Sequence, residues 1–217
     1  MRPQMTAVLA MTADGKIADV QRGAAHFGSP ADRAHLERQV AHSDAVLMGA
    51  QTLRAYGSGM LVHNEALLAW RQRQGKPPQT LHIICSRSGD LDRDMAFFRQ
   101  PLARWLVTTQ LGAQRWQTEP VFARVWWDQT WLALLAEFAA LGLRRIAVLG
   151  GGELLADLLA AGVIDDLWLT LCPLLVGGAT APTLVDGPGL PQPLALELLT
   201  CERVDQELFL HYRVKYP

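Results

Sequence analysis

The chain has 217 residues, half of them hydrophobic and 19% charged, with a formal net charge of −1. That length suits one domain with its own core, the apolar content excludes disorder, and near-neutrality without a basic run gives no electrostatic footprint for nucleic acid or an anionic membrane. Cys85, Cys172 and Cys201 are odd in number and far apart, which argues against a disulfide framework or a metal site and for small core residues in a reducing cytoplasm. No signal-peptide pattern opens the chain and no apolar run nears the ~20 residues that span a bilayer, so the expectation is a soluble, cytoplasmic protein with a small-molecule substrate.

The elements read in chain order. Residues 5–12 (MTAVLAMT) form a strand that ends in a turn at Asp14-Gly15. Ser29 and Pro30 open a helix to about His42, with Ser29 as N-cap and Pro30 at the first helical position. Residues 45–48 make a short buried strand, and Gly49 turns it into a helix to about Ala55. Residues 57–79 are polar and rich in Gly, Pro and Gln around a helical patch, LLAWRQRQ, and read as an excursion over a sheet edge. Alternation resumes with a strand at 80–85, a surface helix near 92–99, strands at 104–108 and 122–127, a helix at 130–141 and a strand at 145–149. Gly150-Gly151-Gly152 then leads into another helix, followed by a strand at 166–171 and a Gly/Pro-rich stretch over 177–193. LALELLTCER and ELFLHYRVKY close the chain as an antiparallel hairpin. The pattern predicts a single α/β domain over residues 1–217, with a mostly parallel central sheet, helices on both faces and a C-terminal antiparallel hairpin.

In such a sheet, ligands sit at the carboxyl ends of the strands, and four turns there share a polar, glycine-containing character. TADGKIA offers Asp14 and Lys16; LMGAQT offers Gly49 and Thr52 at a helix start; IICSRSG offers Ser86 and Arg87; the fourth is the glycine triplet. Each also has a purely structural reading, as a solvated turn, a helix cap, a solubilising Arg or a strand terminator. Together they fit a dinucleotide laid across the strand ends. Glycines and the positive end of a helix suit the pyrophosphate, and Ser86 with Arg87 suits an extra 2′-phosphate, which favours NADPH over NADH. Zinc-deaminase, HExxH, GxSxG and Walker patterns are missing from the sequence, so no metal is expected. His26, His35, His42, His63, His82 and His211 show no ligand spacing, and the seven tryptophans read as core or subunit contacts.

These residues carry a resemblance over almost the whole chain. RPQMTAVLAMTADGKIA, HFGSPADR, DAVLMGAQT and VLGGGELLADLLAAGVIDDLWLTLCPLLVGG resemble, in order, the segments of the reductase domain of the riboflavin-pathway deaminase-reductase, which shares the dihydrofolate reductase fold. The resemblance implies a homodimeric NADPH-dependent reductase that transfers hydride to the ribosyl C1′ of 5-amino-6-(5-phosphoribosylamino)uracil. It further implies that Gly49, Thr52, Gly150, Gly151 and Gly152, with Leu154 and Leu155 beside them, hold the cofactor's pyrophosphate region, and Ser86 with Arg87 its 2′-phosphate. Asp14 and Lys16 would sit at the catalytic end, with Ser29 and Arg33 at the substrate phosphate.

Three positions depart from that family's pattern. Val8 stands where its members carry a lysine, Gly150 where they carry a Glu, and RAYGSGM supplies no carboxylate after the Gly49 turn. Each would leave a polar substrate group unpaired, at a cost of about 1–3 kcal/mol. SPADRAHLERQVAHSDAVLMG also resembles the dihydrofolate reductase helix whose carboxylate binds the pterin, with Asp32 at that carboxylate. Reduction of a pterin or another heterocycle, or dinucleotide binding without catalysis, therefore stand as alternatives.

Overall fold

The computed structural model describes residues 1–25 and 27–217. The elements in chain order are β1 (Gln4–Thr12), α1 (Pro30–His42), β2 (Ala45–Gly49), α2 (Ala50–Tyr56), α3 (Glu65–Arg73), β3 (Leu81–Cys85), β4 (Arg104–Thr108), α4 (Gln110–Gln114), β5 (Arg124–Trp127), α5 (Trp131–Ala140), β6 (Arg145–Val148), α6 (Gly152–Ala160), β7 (Asp166–Cys172), β8 (Ala195–Val204) and β9 (Glu207–Lys215). The chain divides into two compact units, each drawn from separated stretches: Met1–Pro3 with Glu37–Ala147, and Gln4–Leu36 with Val148–Pro217.

In the first unit, β2, β3, β4 and β5 run parallel, hydrogen-bonded in the order β5-β4-β3-β2. The runs AVLM in β2 and HII in β3, apolar but for His82, are buried without alternation, as strands covered on both faces must be. Helix α5 starts where Thr130 Oγ1 accepts the Ala133 N–H and buries Leu134, Leu135 and Phe138 along one stripe. The 57–79 excursion contains α3, capped by Asn64. It is anchored by Arg71, whose buried guanidinium donates to the carbonyls of Ala41 (2.7 Å), Ser43 (2.8 Å) and Pro77 (2.8 Å).

The second unit pairs β1 with β7 in parallel, β7 with β9 antiparallel, and β9 with β8 as a hairpin closed at Asp205-Gln206. Its order is β1-β7-β9-β8, which puts β8 at an edge. The observed class is thus α/β, with parallel ladders and a C-terminal antiparallel hairpin. Among the described residues no helix is long and apolar enough to cross a membrane.

Three expectations need correction. The helix expected near 92–99 is only a single 3₁₀ turn, Ala96–Arg99. Asp92 accepts the Asp94 N–H in a local turn, and Phe97 is drawn into the core beside Phe98, so the segment wraps an aromatic cluster rather than lying on a surface. Short α4 was not expected at all; it begins where Thr109 Oγ1 accepts the Gly112 N–H. Of the cysteines only Cys172 is buried, while Cys85 is half-buried and Cys201 lies exposed on edge strand β8.

Candidate active site

In the first unit, Gly49 and Cys85 are register partners, so β2 and β3 end level. Helix α2 opens directly from Gly49, which caps it with extended backbone (φ −74°, ψ 151°) and no side-chain acceptor. Its first-turn N–H groups are therefore not met by a cap side chain, and Thr52 sits half-buried in that turn. On the neighbouring strand Ser86 is buried: its N–H donates to Val107 O (3.0 Å) and its Oγ accepts the Gly89 N–H (3.1 Å). Thr109 Oγ1 donates to Arg87 O (2.9 Å) and Trp116 Nε1 to Gly89 O (2.7 Å), which holds the loop while the Arg87 side chain is exposed. A cation and helix-start amides at two level strand ends match the donor set a phosphate group requires.

In the second unit, the chain leaves β6 through Gly150, whose φ of 99° favours glycine, and a cis Gly150-Gly151 peptide. Gly151 caps α6, again without a side-chain acceptor. A Cβ on Gly152 would lie 2.3 Å from Thr183 O and 3.2 Å from the Asp186 carboxyl. The Asp186 N–H donates to Gly152 O (3.3 Å), and Asp186 Oδ1 accepts from Thr183 N (3.0 Å) and Thr183 Oγ1 (2.6 Å). The turn 183–186 thus packs on the opening of α6. Leu154 and Leu155 bury their side chains, so only their backbone is offered to a ligand.

Asp14 and Lys16 follow β1, whose last residue Thr12 pairs with Cys172 at the end of β7. The Asp14 carboxylate accepts from Thr12 Oγ1 (2.6 Å), Val176 N (3.1 Å) and Gly177 N (2.6 Å). These bonds, the Thr12 hydroxyl first, hold its pKa down at about 2. Lys16 Nζ donates to Ala181 O (3.2 Å), and its backbone bridges to Thr183. Thr183 therefore joins the Lys16 strand end to the Gly152 turn.

Ser29, Asp32 and Arg33 lie at the start of α1. Ser29 Oγ accepts the N–H groups of Ala31 (3.1 Å) and Asp32 (3.2 Å), the expected cap. Its own hydroxyl donates to Glu207 Oε2 (2.5 Å), and its N–H to Glu207 Oε1 (2.9 Å). Asp32 is half-buried and bonded to Thr170; burial raises its pKa and the Glu207 charge adds to this, with the Thr170 bond and Arg33 opposing. Cys172, buried beside the same two carboxyls, is pushed up to about 12, so it is a thiol and not a nucleophile. Arg33 is exposed.

The structure brings Asp14, Lys16, Ser29, Asp32, Arg33, Gly150, Gly151, Gly152, Leu154 and Leu155 into the second unit, and Gly49, Thr52, Ser86 and Arg87 into the first. Sequence reasoning missed Glu207, Thr170, Thr183 and Asp186. The one available signal was S-x-x-D-x-x-H in α1, a helix stripe polar at positions 29, 32 and 35 where an apolar face was due. Among the histidines, His35 packs between Trp168 and Phe209, and His82 is buried in the first unit; His26 lies outside the described residues.

Comparison with known proteins places the chain in a family. The chain is 27% identical over 214 residues, 95% of each sequence, to the 2,5-diamino-6-ribosylamino-4(3H)-pyrimidinone 5′-phosphate reductase of Archaeoglobus fulgidus. Its fold is similar to that of a pyrimidine reductase-like protein from Corynebacterium diphtheriae, with a TM-score of 0.86 at 22% identity over 99% of this chain and 93% of that one. It is also similar, with a TM-score of 0.57 at 15% identity over 98% and 97%, to dihydrofolate reductase from Enterococcus faecalis, a structure holding NADP(H). Relatives of the chain also include the riboflavin biosynthesis protein RibD of Synechocystis, and its own α/β fold is dihydrofolate reductase-like; the sequence profile of the RibD C-terminal domain matches residues 3–210, and the chain belongs to that family.

Proposed function

We propose that the chain is an NADPH-dependent reductase of a pyrimidine bearing a phosphoribosylamino group, acting at the ribosyl C1′. The end-to-end match to a named pyrimidinone phosphate reductase carries this reading. NADPH would supply the hydride, and the protein contributes positioning and electrostatics. In the first unit, the α2 amides, Thr52, Ser86 and Arg87 supply the donors that phosphate groups need. In the second, the glycine turn offers the α6 amides, Arg33 is the exposed cation for the substrate phosphate, and Ser29 holds the turn that presents it together with Asp32, whose carboxyl would meet the pyrimidine.

A cytoplasmic setting agrees with three cysteines that form no disulfide. A second copy of the chain is the proposed partner: edge strand β8 exposes Leu196 (46%) and Leu198 (52%), an apolar edge that monomeric proteins avoid. Sedimentation at micromolar concentration tests it.

One observation favours a second reading, reduction of a pterin: the half-buried Asp32 held by Thr170 has the raised pKa of a carboxyl that can hold a proton for a ring nitrogen. Nicotinamide absorbance decides between them. The protein is mixed with NADPH and either 5-amino-6-(5-phosphoribosylamino)uracil, its 2-amino counterpart or dihydrofolate. Oxidation with a phosphoribosyl pyrimidine is the expected result. Oxidation with dihydrofolate alone would establish the second reading, and tight NADPH binding with no turnover would leave a dinucleotide-binding protein.

A further inference from the structure

Helix α1 meets the sheet of the second unit through three rungs one helical turn apart. Ser29 is bonded to Glu207 on β9, Asp32 to Thr170 on β7, and His35 stacks against Trp168 (4.7 Å between ring centroids) and Phe209 (5.3 Å). The third rung is ordinary packing. The first two bury polar and ionisable groups where aliphatic side chains would seal the helix more cheaply. Glu207 is only 4% exposed; each of its oxygens accepts from Ser29, its carboxylate also bonds the Cys172 thiol, and Ser29 in turn caps the α1 amides of Ala31 and Asp32.

We propose that Glu207 is a positioning residue, fixing through Ser29 the opening turn of α1 and the carboxyl of Asp32 that this turn presents to the pyrimidine substrate. The inference rests on the reductase reading above and adds a residue to it. Glu207 does not touch the substrate; it acts on the groups that do. Register supports this, because Thr170 and Leu171 pair with Phe209 and Leu208, so Glu207 enters the sheet beside the end of β7 and next to Cys172. The charged and titratable groups around Asp32 are Arg33 on its own helix, Glu207 on β9 and Cys172 on β7. Gly28 completes the setting: a Cβ there would lie 2.2 Å from Asp32 Oδ2, so the carboxyl rests against bare backbone.

The test uses the full chain carrying Glu207→Gln and, separately, Ser29→Ala. The Asp32 carboxyl is followed by carbon NMR of aspartate-labelled protein, with Asp32→Asn to assign its signal, and steady-state reduction of the pyrimidine is measured alongside. In Glu207→Gln the Asp32 titration moves down toward that of an ordinary aspartate, and in both variants the substrate KM rises by roughly ten-fold, the scale of one lost charge-assisted bond, while the KM for NADPH holds. A structural role alone would lower Tm and shift both KM values together, and in Ser29→Ala, which keeps the Glu207 charge, it would leave the Asp32 titration in place; that result overturns the proposal. If Glu207→Gln does not fold, Ser29→Ala decides by the same KM split. If wild-type protein fails to reduce the pyrimidine, the reductase reading falls, while the Asp32 titration in Ser29→Ala, which keeps the Glu207 charge, still decides the positioning role: a moved titration supports it and an unmoved one overturns it.

Discussion

Gly28 leaves the space that the Asp32 carboxyl fills: a methyl group on Gly28 would sit 2.2 Å from Oδ2 and 3.0 Å from Cγ of that carboxyl. The obstacle is the tip of a side chain, so the carboxyl can swing aside without moving backbone. Gly28→Ala should therefore leave Tm within a few degrees of wild type while kcat/KM for the pyrimidine falls by about ten- to hundred-fold, the usual result of displacing a positioned group by an ångström. Thermal melts and initial rates on one preparation check both halves. A large drop in Tm would show that the site is not built as described.

Gly152 gives the opposite case, because the nearest atom to an added Cβ is the backbone oxygen of Thr183, at 2.3 Å. Neither that carbonyl nor the first turn of α6 can yield alone. Gly152→Ala should cost about 1–3 kcal/mol of stability, the range for forcing a methyl group into close packing. NADPH affinity should fall with it. Urea unfolding and a fluorescence titration with NADPH measure the two effects.

These contrasts show what was legible in the sequence. Local chemistry was: Ser29 before Pro30 marks the α1 start, Gly49 and the glycine triplet mark strand-to-helix turns, and two apolar stretches across Asp205-Gln206 mark the hairpin, because each signal is read by its immediate neighbours. The partners of the site residues were not. Asp14 is visible as a turn residue, but the amides it binds belong to Val176 and Gly177, and Ser29 finds Glu207 at the far end of the chain. No periodicity specifies such bonds. The segment before Arg99 failed for a related reason, since burial of Phe97 and Phe98 against Trp116 and Phe122 overrides its helical pattern.

Arg87 carries the prediction on cofactor choice. Its loop is held by Thr109 and Trp116 while the side chain is exposed at the end of β3. Arg87→Ala should raise the KM for NADPH by about ten- to hundred-fold, the worth of a charge-assisted pair with a phosphate, and leave the KM for NADH unchanged. Equal losses for both dinucleotides would remove Arg87 from the 2′-phosphate.

Asp14 fastens the segment after β7, since its carboxylate takes the N–H groups of Val176 and Gly177. In Asp14→Ala those two amides lose their acceptor. Their hydrogen exchange should accelerate by about ten-fold or more, as in a locally opened segment, while the amides of β7 keep their protection. Exchange followed by NMR at neutral pH gives the answer residue by residue. Uniform acceleration through β7 would mean that the clamp supports the whole strand instead.

His82 makes the first unit sensitive to acid. It is fully buried on β3 against Phe97, and burial lowers its pKa to about 4 from the ordinary 6.5. The unfolded chain therefore binds a proton below pH 6.5 that the folded chain refuses until about pH 4. Stability is full above 6.5 and falls as pH drops through that window, by about 3 kcal/mol for a pKa lowered from 6.5 to about 4. Replacing the imidazole with a neutral group of similar shape removes the effect. His82→Gln should be less stable than wild type at pH 8, because the site is tight around Gly59 and Leu102, yet the difference should shrink steadily between pH 6.5 and 4. Urea unfolding of both proteins across that range measures it, and parallel curves would show that His82 does not stay neutral in the fold.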